Sequence, residues 1–188
     1  GSETNDAVRE WLVAQFDEDD TVLEVGCGNG FTSRMIAKCV DSLVASDMSS
    51  QMLKEARKKL KRFKNVSLRM EDCYSLSLDS KSFDCVVFAN VIHIVRDPVR
   101  VLIEARRLLK KSGRLIVVDY TSHGLTAKAK KAMMKRYMDR WGPIPIHSFA
   151  VTLENLTELA ESAGFEVEES TLVGDIAKAV CLRGIKPG

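Results

Sequence analysis

The stretch "VLEVGCGNG" at residues 22–30 decides the fold. It is a short apolar run with an acid at Glu24, followed by Gly26, Gly28 and Gly30 at alternate positions. A brief apolar run bounded by glycines reads as a buried strand entering a tight turn. Glycines there permit positive φ and remove side chains that would hold a ligand away from the backbone. A dinucleotide-binding loop reads G-x-G-x-x-G/A. Here Phe31 fills the third slot and the glycine comes one residue early. A Walker loop is excluded, because no Gly-Lys-Ser/Thr follows. The spacing is G-x-G-x-G after an acid, and what it holds has to be read from the rest of the chain.

Working outward, residues 7–16 read as a lead-in helix with Trp11, Leu12 and Phe16 on one side. Downstream, "FTSRMIAKC" (31–39) has helical spacing, "SLVASD" (42–47) is a second strand and "SSQMLKEARKKLKRF" (49–63) a helix. "NVSLRM" (65–70) and "FDCVVFAN" (83–90) are strands three and four. Asp97 and Pro98 open the clearest helix, since Asp caps free amides and Pro suits the first helical position. Its core stripe is Val101, Leu102, Ala105, Leu108 and Leu109. "GRLIVVDY" (113–120) is strand five.

This alternation predicts an α/β, Rossmann-like, seven-stranded and mostly parallel sheet with helices on both faces. The ending differs. A helix at 153–164 stops at Gly164, and strands "FEVEEST" (165–171) and "IAKAVCLRG" (176–184) are joined only by "LVGD". That gap is too short for a parallel crossover, so the last two strands form a C-terminal antiparallel hairpin. Residues 1–188 read as one domain, with Gly1 and Ser2 a tag scar and residues 124–147 an insertion that could cover a substrate.

Apolar content of 45% and charged content of 29% fit a soluble globular protein. A net charge of +2 points to neither nucleic acid nor membrane, and no apolar run is long enough to cross a bilayer. Five cysteines without a Cys-x-x-Cys pair suggest free thiols in a reducing, cytoplasmic setting. His93, His123 and His147 are too scattered to suggest a metal site.

In an open parallel sheet, ligands bind beyond the carboxyl ends of the strands. Asp47 ends strand two about twenty residues after the glycines, where a carboxylate can take both hydroxyls of a ribose. It could equally cap the next helix. Asp72 follows strand three, as an adenine acceptor or as a plain turn residue.

With these residues in place, the chain resembles the class I S-adenosylmethionine-dependent methyltransferases, in the group that includes the ubiquinone/menaquinone-biosynthesis enzymes. "VLEVGCGNG" matches the first motif of that family and "SDMSSQML" the second. "MEDCYSLSLDSKSFDCVVFANVIHIVRDP" matches the third and fourth, and "EARRLLKKSGRLIVVDYT" the fifth. The resemblance implies that S-adenosylmethionine is the cofactor and S-adenosylhomocysteine the product. It implies that Gly26, Cys27, Gly28 and Gly30 line the methionine and ribose, and that Glu24 holds the amino group. Asp47 would take the ribose hydroxyls and Met48 pack on the adenine. Asp72 would accept from the adenine amino group, Cys73 donate its backbone N–H, and Asn90 sit beneath the sulfonium. One departure is visible: where the family often has Lys-Pro-Gly-Gly before strand five, this chain has Lys110, Lys111, Ser112 and Gly113.

A sulfonium is an activated methyl donor, so the protein chiefly aligns it with the acceptor, an effect worth roughly 7–11 kcal/mol. No Asn/Asp-Pro-Pro-Tyr/Phe follows strand four and no Pro-Cys nucleophile is present, which leaves a small, partly apolar metabolite as acceptor. His93, just past strand four, is the best-placed base, against the alternative of a loop histidine bonded to a backbone carbonyl. Tyr120 and His123 are weaker candidates. In the helix at 125–141, Leu125, Ala129, Met133, Tyr137 and Trp141 recur every four residues, with Met134 and Met138 beside them. Its other side carries Lys128, Lys130, Lys131, Lys135, Arg136 and Arg140. This segment reads as a packed amphipathic helix, as a cap over the acceptor, or as a basic surface for an acidic partner or peripheral membrane contact. The competing functional reading is a cofactor-binding regulatory or partner protein without turnover of its own.

Overall fold

A computed structural model describes residues 2–174 and 178–188. The chain runs α1 (Ser2–Val13), β1 (Thr21–Val25), α2 (Ser33–Ile36), β2 (Ser42–Asp47), α3 (Ser50–Leu60), β3 (Val66–Met70) and β4 (Phe83–Ala89). A 3-10 turn (Ile92–Ile94) leads into α4 (Pro98–Leu108), β5 (Leu109–Thr121), α5 (Ala127–Trp141), α6 (Leu153–Ser162), β6 (Glu166–Val173) and β7 (Lys178–Ile185). The strands form one seven-stranded sheet in the order β3-β2-β1-β4-β5-β7-β6. The first five strands pair in parallel, and β7 pairs antiparallel with both β5 and β6. The Rossmann-like sheet with its antiparallel ending is the expected one. The last strand in the chain wedges between β5 and β6, and the expected start of that strand at Ile176 and Ala177 lies outside the described residues.

Alternation along the central strands builds two cores, because successive side chains point to opposite faces. Leu23, Val25, Val86, Phe88, Leu115, Val117, Val180 and Leu182 pack against α4 and α6. Val22, Cys85, Val87, Ile116, Val118, Ala179 and Cys181 pack against α1, α2 and α3. Among its described side chains, helix α5 contributes no buried residue to either core.

Local chemistry sets the ends. The Asp97 carboxylate accepts the Arg100 N–H with Pro98 at the first helical position. Thr152 and Asn155 form a reciprocal capping box on α6. Beyond α6, Gly164 takes a φ of +83° and donates to Glu161, while Phe165 donates to Ala160, which closes the last turn in a Schellman pattern. Several boundaries differ from the sequence reading. The first helix begins and ends earlier than 7–16. The helix expected over 31–39 is regular only at Ser33–Ile36. The fifth strand starts at Leu109 rather than Gly113: Leu109 pairs with Phe83 and Arg114 with Cys85, so residues 110–113 bulge out against a single partner residue. Ser112 takes a φ of +60° in that bulge. Helix α5 begins after Thr126, whose side chain accepts from Ala129 N–H.

Candidate active site

The glycine turn follows β1 and is fastened to β2. Gly26 and Cys27 both donate to the Ser46 carbonyl at 2.8 Å. The Asp47 carboxylate accepts Gly28 N–H on one oxygen and Ser49 N–H on the other, each at 2.8 Å. Asp47 therefore braces the loop and the start of α3 at once. All three glycines have positive φ, but their surroundings differ. A Cβ on Gly26 would stand 2.4 Å from Val91 Cγ2, and one on Gly30 would stand 3.2 Å from the backbone of Ala56 in α3. A Cβ on Gly28 would meet nothing within 4 Å. Gly30 performs the close helix packing that a dinucleotide loop assigns to a glycine one residue later, and Gly28 leaves the cradle open.

Beneath the loop, Glu24 is 1% exposed. One of its oxygens accepts from the Ser33 hydroxyl, and the other, Oε1, has no partner among the described residues. Burial lifts its carboxyl to about 7, opposed by the Ser33 hydrogen bond and reinforced by the negative Asp47. Cys27 is buried beside it, and burial, then the negative charges of Glu24 and Asp47, push its thiol well above the usual range.

The other expected contacts line the carboxyl ends of β2, β3 and β4. Met48 is 78% exposed. Asp72 accepts from Tyr74 N–H at 2.9 Å and so organises its own turn, while burial and the charge of Asp72 raise the half-buried Cys73 thiol to about 11. Asn90 takes a φ of +61°, and its side-chain oxygen accepts Tyr120 N–H at 3.0 Å, which ties the end of β4 to β5.

The sequence reading missed the partner of His93. Asp119, with no exposed surface near the carboxyl end of β5, places Oδ1 at 2.6 Å from His93 Nδ1. Its Oδ2 accepts the His93 backbone N–H at 3.2 Å. The ring thus lies against a buried carboxylate and not against a backbone carbonyl, in close contact but without the alignment of a hydrogen bond. Nε2 has no hydrogen bond from the described residues, and Tyr137 of α5 meets the ring edge-on at 6.4 Å between centroids. Val91, which closes on Gly26, lies two residues before His93, so the glycine turn and the histidine turn touch. An acid at the end of the apolar run "LIVVDY" was the available signal for Asp119. Tyr120 is half-buried against the α1 side of the sheet, and His123 is exposed.

The donor set fits an adenosyl sulfonium carrying an amino group. A buried carboxylate oxygen without a partner among the described residues suits an ammonium, Gly28 leaves space for a ligand, and Asp47 presents its carboxylate to the turn from the end of β2. Residues 23–117 match the family described as methyltransferase domain. The chain belongs to this family: it is a class I S-adenosylmethionine-dependent methyltransferase domain.

Among its relatives are the demethylmenaquinone methyltransferase of Tropheryma whipplei, 30% identical over 80% of this chain and 62% of that protein. A second is the ubiquinone biosynthesis O-methyltransferase of Coxiella burnetii, 26% identical over 80% of this chain and 65% of that protein. An uncharacterized protein of transposon TN4556 from Streptomyces fradiae is 30% identical, with 87% of this chain matched to 50% of that protein. The chain thus spans about half to three fifths of the first of these curated relatives. In fold it is similar to a SAM-dependent methyltransferase from Aquifex aeolicus, with TM-score 0.73, 22% identity and coverage of 93% and 88%. A Haemonchus contortus phosphoethanolamine N-methyltransferase solved with S-adenosylhomocysteine gives TM-score 0.73 and 15% identity, covering all of this chain and 53% of that one.

Proposed function

We propose that the protein transfers a methyl group from S-adenosylmethionine to a small, partly apolar acceptor, with His93 receiving the proton that the acceptor loses. The observation that carries this reading is the His93–Asp119 pair beside the glycine turn. A proton on Nδ1, beside the carboxylate, would leave the lone pair of Nε2 free to take another. Bound S-adenosylmethionine supplies an electrophilic methyl group that needs no further activation. Around it, Glu24 would hold the amino group, Asp47 the ribose hydroxyls, Asp72, Cys73 and Met48 the adenine, and Asn90 the acceptor side. Gly26, Cys27, Gly28 and Gly30 would keep the cradle open and tightly packed.

Residues 124–147 would cover the acceptor, a role supported by the contact of Tyr137 with His93. Relatives named for menaquinone and ubiquinone biosynthesis support an acceptor with apolar character. The test is release of S-adenosylhomocysteine when purified protein meets S-adenosylmethionine and a panel of quinols, phenols and amines. Turnover that is lost in His93→Ala supports the proposal. Tight S-adenosylmethionine binding with no product from any member of the panel would favour the non-catalytic reading instead.

A further inference from the structure

The outer side of α5 is neither core nor site. Met134 and Met138 lie half exposed on it, and Ile146 just beyond is fully exposed. The loop bearing Ile146 is anchored to the histidine turn, where His147 Nε2 meets the Ile94 carbonyl at 2.6 Å. An open groove of about 520 Å³ on this side is lined by Lys128, Lys131, Ala132, Met134, Lys135, Met138 and Asp139. The sequence of the same helix is strongly basic. Residues 127–141 hold six Lys/Arg against one Asp, a net +5, while the whole chain is only +2 and the remainder is therefore net −3. Asp139 pairs with Lys135 at 2.7 Å, and both are largely exposed.

We infer that this face of α5 docks on an anionic lipid bilayer, with Met134, Met138 and Ile146 entering the interface and Lys128 and Lys131 facing the headgroups. Lysine-ringed apolar residues on a surface helix are the pattern of interfacial helices. Protein–protein interface cores are depleted in lysine, which argues against an acidic protein as the occupant. No helix among the described residues is long and apolar enough to cross a membrane, so the contact is peripheral. The inner side of the same helix touches His93 through Tyr137. Docking would therefore set the acceptor entrance against the surface in which an apolar acceptor dissolves, a consequence that rests on the proposed function.

The test is co-sedimentation of the protein with vesicles of phosphatidylcholine alone or mixed with phosphatidylglycerol. The mixed vesicles should bind it in a salt-sensitive way. Lys128→Gln with Lys131→Gln should weaken binding roughly thirtyfold, at about one headgroup-facing charge per lysine. Met134→Ser with Met138→Ser should weaken it roughly tenfold through lost apolar burial. These side chains are exposed, and unaltered S-adenosylhomocysteine binding in solution would show that the fold and cofactor site are intact. Equal binding to both vesicle types, binding to neither, or capture by soluble polyglutamate that survives the Met substitutions would each overturn the inference. The methyltransferase reading is judged separately, by cofactor binding and turnover without lipid.

Discussion

His93 Nδ1 lies 2.6 Å from Asp119 Oδ1, so a ring on the turn after β4 is oriented by a fully buried acid of the neighbouring strand. On the proposed reading, that acid would keep a proton on Nδ1 and leave Nε2 as the acceptor. Asp119→Asn should lower kcat by about a hundredfold, the usual scale of a positioned base, with S-adenosylhomocysteine affinity unchanged. Nitrogen-15 spectra of His93 should show Nδ1–H in the native protein and mixed tautomers in the variant. Native-like spectra would rule out the orienting role.

Asp47 links Gly28 to Ser49 and stands beside the cradle. Asp47→Ala should weaken S-adenosylmethionine binding at least tenfold, about 1.4 kcal/mol, with the fold retained. Calorimetric titration measures this directly, and an unchanged Kd would remove the ribose assignment.

The glycines should separate packing from binding. Gly28→Ala puts a methyl into open space at a φ of +53°, costing stability about 1–2 kcal/mol through the left-handed backbone while filling the cradle. Gly30→Ala meets the same backbone penalty and also presses on Ala56, so its loss in thermal unfolding should be larger. Affinity should fall most in the Gly28 variant. The reverse order would misplace the ligand.

Glu24 titrates near 7 when folded and near its ordinary 4.5 when unfolded. Between those values the folded chain holds the extra proton, so stability falls as pH rises through this window. Above it the cost levels at about 3 kcal/mol. Glu24→Gln should recover this amount at pH 8, recover nothing near pH 4, and weaken S-adenosylhomocysteine binding. Thermal unfolding at the two pH values checks the sign.

The layout of the sheet was legible because buried parallel strands read as apolar runs and because "LVGD" is too short for a crossover. The extent of α2 was not. Its spacing is helical, yet only Ser33–Ile36 keeps regular geometry, and Gly30 is held against Ala56 just before it. Glu24, Asp47 and His93 were visible as polar residues at strand ends, but Asp119 was hidden inside what reads as an ordinary buried strand. Its importance comes from a pairing across β4 and β5, which no local pattern encodes. The basic side of α5 was legible, but the exposure of Met134 and Met138 was not, since amphipathic spacing does not say how much of a helix the domain covers.

Cys27 occupies the turn that would cradle an alkylating sulfonium, and its sulfur is the softest nucleophile there. Because burial, reinforced by Glu24 and Asp47, keeps the proton on the thiol, it is a poor competitor for the methyl group. The same anionic neighbours that suit a cationic ligand thus also guard the protein against self-alkylation, a form of suicide inactivation.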